Sequence, residues 1–254
     1  MTGSRTPDPD LAPAPRPPSL RPATLDDLAA IRAILVAHGN DGPVIVADVV
    51  GPYISHLIGH GRTWVAVLDG AVQRTTFASE DPRALPLYVR AGMQPLWISL
   101  YVQGQSGALT PEPGRLATET ATSDRLAALE RDWTGVDRGF DHAFWGTMPD
   151  GDAFVVRDGG AVAAFGYARA RQAFPMRVLD RLVIHPDADP VAATITALAR
   201  AGRGGPVHAC LLGPHPVLRP LLTAGFRVVD RDVFLASDPA IADPFRLVPN
   251  PGML

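Results

Sequence analysis

Changes in the spacing of apolar positions divide the chain into elements. Ser19 to Ala23 reads as a short strand. Thr24 follows at a cap position with Asp26 and Asp27 behind it, where carboxylates favour the positive end of a helix. Leu25, Leu28, Ile31 and Leu35 then give that helix one apolar face. A second helix is expected from about Ala47 to His60, closed by Gly61. Thr63 to Leu68 alternates as a strand into the hairpin-turn pair Asp69-Gly70. Thr75 to Ala78 is another strand, Pro82 to Arg90 a helix closed by Gly92, and Met93 to Val102 holds one or two strands.

After a polar stretch with Gly and Pro from Gly104 to Gly114, the pattern starts again. Leu126, Leu129 and Trp133 mark a helix. Ala153–Arg157 and Ala161–Arg169 are strands of a hairpin turning at Asp158-Gly159-Gly160. A strand at Val178–Ile184, a helix from Pro190 to Ala201 and a strand at Val207–Leu212 follow. A helix from Pro216 to Ala224 and a strand at Arg227–Leu235 complete the series. This order predicts a mixed α/β layer with a parallel crossover. The chain therefore divides into residues 1–18, a Pro-rich segment expected to be a flexible tail; 19–103, a first half; 104–114, a linker; and 115–254, a second half ending in an irregular Pro-containing tail.

Composition narrows the chemistry. Apolar residues make up 46% of the 254, enough for a sizeable core, and a net charge of −3 argues against nucleic acid as the main partner. The chain contains no Lys, which removes Schiff-base chemistry and the lysine of a phosphate-binding loop. The single cysteine, Cys210, lies in an apolar run and reads as an inert core thiol. No apolar h-region or membrane-spanning run is present, so a cytoplasmic protein without membrane contact is expected. His208 and His215 are too isolated to suggest a metal.

The chain echoes itself. Ala84-Leu85-Pro86-Leu87-Tyr88-Val89-Arg90-Ala91-Gly92-Met93 aligns without a gap on Val217-Leu218-Arg219-Pro220-Leu221-Leu222-Thr223-Ala224-Gly225-Phe226. Each is a short helix ended by Ala-Gly and a large apolar residue, which points to duplication. The segment from Asp81 to Met93 resembles the N-x-x-A-x-x-L-Y-x-x-x-G-F pattern of the GNAT N-acetyltransferase superfamily, with Asp81 for Asn and Met93 for Phe. Leu20-Arg21-Pro22-Ala23-Thr24 with Asp27-Leu28, and Leu182-Val183-Ile184-His185-Pro186, resemble the family's opening and central strands. The resemblance implies a mixed, splayed sheet flanked by helices, in two halves of which the first is truncated. It implies acetyl-CoA as co-substrate, its pantetheine arm paired with the central strand and its pyrophosphate on a helix N-terminus. Asp81, Ala84, Val183 and Ile184 would then line the cofactor, Tyr88 would protonate the leaving thiolate, and a small-molecule or peptide amine would accept the acetyl group.

The sequence departs from that pattern twice. Only residues 71–80 separate Gly70 from Asp81. Two strands, a crossover helix and a third strand would need roughly 26 residues at ordinary lengths. In the second half the turn His185-Pro186-Asp187-Ala188-Asp189-Pro190 has no Gly, two prolines without N–H groups and two acids where a diphosphate would sit, and the counterpart of Tyr88 is Leu221. Asp187 and Asp189 read better as caps of the next helix.

Tyr88 is thus either the acid or a packing residue of an amphipathic helix. Arg138, Asp141 and His142, beside Trp133, Phe140, Phe144 and Trp145, either recognise substrate, with Asp141 or His142 as base, or form a network holding the helix connection. Asp180-Arg181 and Asp230-Arg231-Asp232 suit ion pairs between neighbouring strands. Two functions remain: an acetyl-CoA-dependent acyltransferase with impaired equipment, or a non-catalytic binding or regulatory module on the same fold. The remaining strands of the first half are expected to pack on the second half or on a partner chain, as in a homodimer.

Overall fold

The computed structural model describes residues 19–31, 55, 64–67, 77–78, 84–90, 93–111, 114–171, 175–236 and 242–249. The Pro-rich segment 1–18, the expected helix over 47–60 apart from Ser55, the Asp69-Gly70 turn, Asp81 and Ala91-Gly92 lie outside the described residues.

Strand β1 (Ser19–Pro22) pairs antiparallel with β2 (Trp64–Val67) in a small sheet of its own. Beside it Asp27 accepts a bidentate pair from Arg21, both contacts 2.7 Å, and a 2.8 Å bond from the Thr24 amide. Strand β3 (Phe77–Ala78), helix α1 (Ala84–Arg90) and strand β4 (Gln94–Gln105) follow. The expected one or two strands after Met93 are thus a single strand of 12 residues.

Next come β5 (Leu116–Thr120), α2 (Ser123–Thr134), α3 (Gly139–Trp145), β6 (Gly151–Asp158), β7 (Ala161–Arg171) and β8 (Met176–Ile184). Helix α4 (Pro190–Gly202), β9 (Pro206–Leu212), α5 (Leu218–Thr223), β10 (Arg227–Ala236) and β11 (Leu247–Val248) complete the order. Sequence pattern missed β5, α3 and β11: two are too short or too polar to show a period, and β11 lies between Pro244 and Pro249, in a segment of loop composition.

The main sheet runs β3-β10-β4-β9-β8-β7-β6-β5, with β11 bonded to β8 off that path. All described pairings are antiparallel except β8 with β9, which α4 connects as a crossover. This is a mixed α/β sheet with helices on both faces. On the α4 face Phe154, Val156, Leu179, Leu182, Leu198 and Leu211 are buried; on the α2/α3 face Leu126, Trp145, Val155, Phe165 and Leu212 are. The alternation of Phe154, Val155 and Val156 between faces is the period of a strand buried on both sides. Along α4, Ala193, Ala197 and Ala201 recur at four-residue spacing and are fully buried. Their small side chains bring the helix close against the sheet.

The echo between the halves extends into the pairing. The Met93 amide donates to Tyr88 O at 3.1 Å, and the Phe226 amide donates to Leu221 O at 3.0 Å, the same helix-ending bond 133 residues on (226 − 93 = 133). The strand after each helix then pairs with the other: Leu100 faces Arg231 and Ile98 faces Val233, two pairs exchanged by the same shift (231 − 98 and 233 − 100). The flanking strands obey it too. Leu100 faces Leu211 where Val233 faces Ala78, and Tyr101 faces Cys210 where Phe234 faces Phe77 (211 − 78 and 210 − 77 are again 133). A local two-fold axis therefore passes through Ser99 and Asp232, which face each other. Two copies of a strand–helix–strand unit are interleaved, and β4 of the first is an interior strand of the sheet of the second. Gly104 fits that exchange, since a Cβ there would lie 2.4 Å from the Phe226 ring.

Candidate functional site

Strands β8 and β9 run side by side but pair only at Arg177–Val207, Val178–His208 and Leu179–Ala209. Beyond Leu179 they part. At the point of parting β8 carries a bulge: Tyr167 faces Arg181 and Ala168 faces Leu179, with Asp180 the extra residue between them. The cleft so opened is filled by β11. Leu247 faces Val183, Val248 faces Leu182, and the Ile184 amide donates to Arg246 O at 2.9 Å.

At the mouth of the cleft the turn from His185 to Pro190 leads into α4. Asp189 caps the helix, its Oδ1 accepting from the Val191 amide at 2.9 Å and from the Ala192 amide at 3.3 Å. Asp187 does not cap; its own amide donates to His185 Nδ1 at 3.2 Å. The His185 and Ala188 amides donate to Ala163 O and His185 O. The Arg246 guanidinium donates to His185 O at 3.1 Å and also to Ala188 O. Pro186 and Pro190 lack N–H groups, and the amides of His185, Asp187, Ala188, Val191 and Ala192 are already bonded within the chain. With β11 seated, a coenzyme A thioester has no room in this arrangement: β11 takes its edge of β8, and the Asp189 carboxylate takes the helix N-terminus.

Of the residues the resemblance gives to a cofactor, Val183 and Ile184 lie in this cleft and bond β11 and its neighbour Arg246. Ala84 begins α1, a helix packed on β4 rather than on β8. Tyr88 is half-buried against the Met93–Leu235 pair at that end of the sheet.

Behind the cleft, on the α2/α3 face, a buried polar chain crosses the core. Tyr167 Oη lies 2.9 Å from His142 Nδ1, and His142 Nε2 lies 2.8 Å from Glu130 Oε2. Glu130 Oε1 accepts from Arg181 at 2.6 Å, and Arg138 Nε lies 3.3 Å from the same oxygen. Arg138 also stands 3.8 Å from Asp141. Glu130, Asp141, His142 and Arg181 are all buried. Burial alone would raise the Glu130 carboxyl, but the His142 hydrogen bond and the Arg181 and Arg138 charges outweigh it and hold it at about 2. The Tyr167 hydroxyl is pushed up to about 12, chiefly by burial. Its outer side borders a cleft of about 290 Å³ that Ser123, Trp145 and Asp152 also line.

Arg138, Asp141 and His142 are thus brought together, on Glu130, beneath the surface between α2 and α3. Sequence reasoning passed over Glu130, although it follows Leu126 by four residues and so falls on the apolar stripe of α2. A carboxylate on a buried face was the available sign.

Two of the other strand acids are held across the sheet. Arg169 donates to Asp180 at 2.7 Å from β7, and Tyr101 donates to Asp232 at 2.7 Å from β4. Arg181 instead reaches a helix. Burial pushes the Cys210 thiol up, in keeping with an inert core thiol. Among the described residues no cluster of His, Cys, Asp or Glu could hold a metal, and no helix is long and apolar enough to cross a membrane.

No family model and no curated protein matches the sequence. Solved structures do match the fold. A putative acetyltransferase from Pyrococcus horikoshii superposes with a TM-score of 0.61 at 10% identity, over 98% of this chain and 99% of that one. A GCN5-related N-acetyltransferase from Anabaena variabilis gives a TM-score of 0.56 at 10% identity, over 86% of this chain and 72% of that one. A tandem GNAT protein from the clavulanic acid biosynthesis pathway gives 0.50 at 13% identity, over 89% and 100%. The chain has the GNAT fold, and a tandem protein is among its structural neighbours.

Proposed function

We propose that this protein is an acyltransferase of the GNAT type, moving an acetyl group from acetyl-CoA to a small-molecule or peptide amine. The observation that carries the reading is the parting of β8 from β9 after Leu179. It leaves the backbone of Leu182 to Ile184 to bond an inserted extended segment next to a helix N-terminus. A thioester with an amide-bearing arm and a diphosphate needs those two neighbouring features. In this reading Arg138, Asp141 and His142 fix α2 against α3 through Glu130, and the acceptor amine approaches from the cleft bordered by Ser123 and Tyr167.

A non-catalytic binding or regulatory module on the same fold is the second reading. Asp189 favours it by capping α4 where a diphosphate would sit, as does the fully buried Leu221 at the position matching Tyr88. Calorimetric titration with acetyl-CoA separates the two. Saturable heat supports the acyltransferase; no heat at high ligand, repeated at a second temperature, refutes it. Given binding, Tyr88→Phe tests the role of that hydroxyl. Retained affinity with lost turnover supports it as the acid, and unchanged turnover removes it.

A further inference from the structure

We infer that residues 242–249 are a self-ligand: an exchangeable strand of this chain that occupies the β8/β9 cleft and competes there with an extended, amide-bearing ligand. The chemical identity of the competitor, the pantetheine arm of a coenzyme A thioester, rests on the acyltransferase reading above. The exchange itself rests on geometry.

Two neighbouring parallel strands that part within a sheet leave backbone N–H and C=O groups facing the interior, where unpaired groups are costly. Something extended has to bond them. Here it is β11, whose two residues point to opposite faces: Leu247 joins Phe165, Val183 and Leu212 on the α2/α3 side, and Val248 joins Leu182 and Leu211 on the α4 side. The segment fills both halves of the core that the parting opens.

Its backbone ladder is nevertheless short. Only two residues pair, against 12 in β4, and Phe245, just before them, is 48% exposed. A strand held by so short a ladder opens at lower cost than the long central strands.

The same segment also secures the turn. Arg246 bonds the carbonyls of His185 and Ala188 while the backbone beside it bonds β8. A ligand reaching from the β8 edge to the α4 N-terminus meets the whole unit, so seating one requires release of the other.

The unaltered chain provides the first test. Trypsin cleavage after Arg246 is blocked while Leu247 and Val248 sit between strands, whereas Arg203, with 62% of its side chain exposed, serves as an internal reference. Acetyl-CoA should speed cleavage at Arg246 at least ten-fold relative to cleavage at Arg203. As a second test, the double substitution Leu247→Asp, Val248→Asp should bind acetyl-CoA at least ten-fold more tightly than the parent. Equal affinities with Arg246 still protected at saturation would overturn the exchange while leaving the acyltransferase reading in place. No binding by either protein, with unchanged circular dichroism, would overturn both. If the double variant does not fold, the trypsin ratio on the unaltered chain decides.

Discussion

Replacing Glu130 tests the buried polar chain most sharply. Its carboxylate accepts from His142 and Arg181 and neighbours Arg138, with both carboxylate oxygens engaged and the residue 2% exposed. A carboxyl held at about 2 rather than 4.5 contributes about 3 kcal/mol to folding at neutral pH. The sign follows from the depressed value: this stability is complete above pH 4.5 and is lost as the pH falls through 2. Removing the group does more than delete that contribution, because Arg181 stays buried without its counter-charge and His142 loses the acceptor at Nε2. Breaking a buried pair from one side costs about 3–5 kcal/mol. Glu130→Ala should therefore lower the unfolding free energy by that amount. Glu130→Gln keeps the shape and one acceptor and should lose less, about 2 kcal/mol. Urea unfolding followed by tryptophan fluorescence is the assay, since the Arg181 guanidinium lies 5.3 Å from the Trp145 ring and its displacement changes that environment. The pair Glu130→Leu, Arg181→Met should recover much of the loss, because the buried Arg181 charge is removed together with its partner. A loss below about 1 kcal/mol for Glu130→Ala, the range of a solvated surface pair, would refute the reasoning.

Gly104→Ala should cost about 1–3 kcal/mol, because its methyl would press on the Phe226 ring where the two halves interleave; an unchanged melting temperature would contradict that packing. His208 and His215 are held at about 4 against an ordinary 6.5, chiefly by burial. The unfolded chain therefore binds more protons at these two sites between those values, so the histidines' contribution to stability is greatest above pH 6.5, falls towards pH 4 and levels off below. The loss is at most about 3 kcal/mol per histidine, and a flat profile of urea midpoints from pH 7 to 4 would exclude it. A chain of residues 115–254 alone lacks β4 and exposes the facing edges of β9 and β10. It should aggregate or associate through those edges. A monodisperse monomer by light scattering, with circular dichroism matching the full chain's contribution, would refute the shared sheet.

Local pattern by itself determined a good deal. The hairpin around Gly159-Gly160, the β8–α4–β9 crossover and the helix–Ala-Gly–strand unit are all legible from spacing, because each depends on neighbours within a few residues. The acids and prolines of the turn before α4 likewise show in the sequence as poor company for a diphosphate, and Asp189 does cap the helix. Tertiary structure alone decided the rest. Where β4 inserts, how the halves interlock about Ser99 and Asp232, and that Leu247-Val248 closes the β8/β9 cleft depend on backbone bonds between distant segments. Such bonds form through N–H and C=O groups that nearly every residue carries, so they leave no mark on side-chain periodicity. Glu130 shows the same limit for side chains: its place on the apolar face of α2 is written in the sequence, but its partners on α3 and β8 exist only once those elements meet.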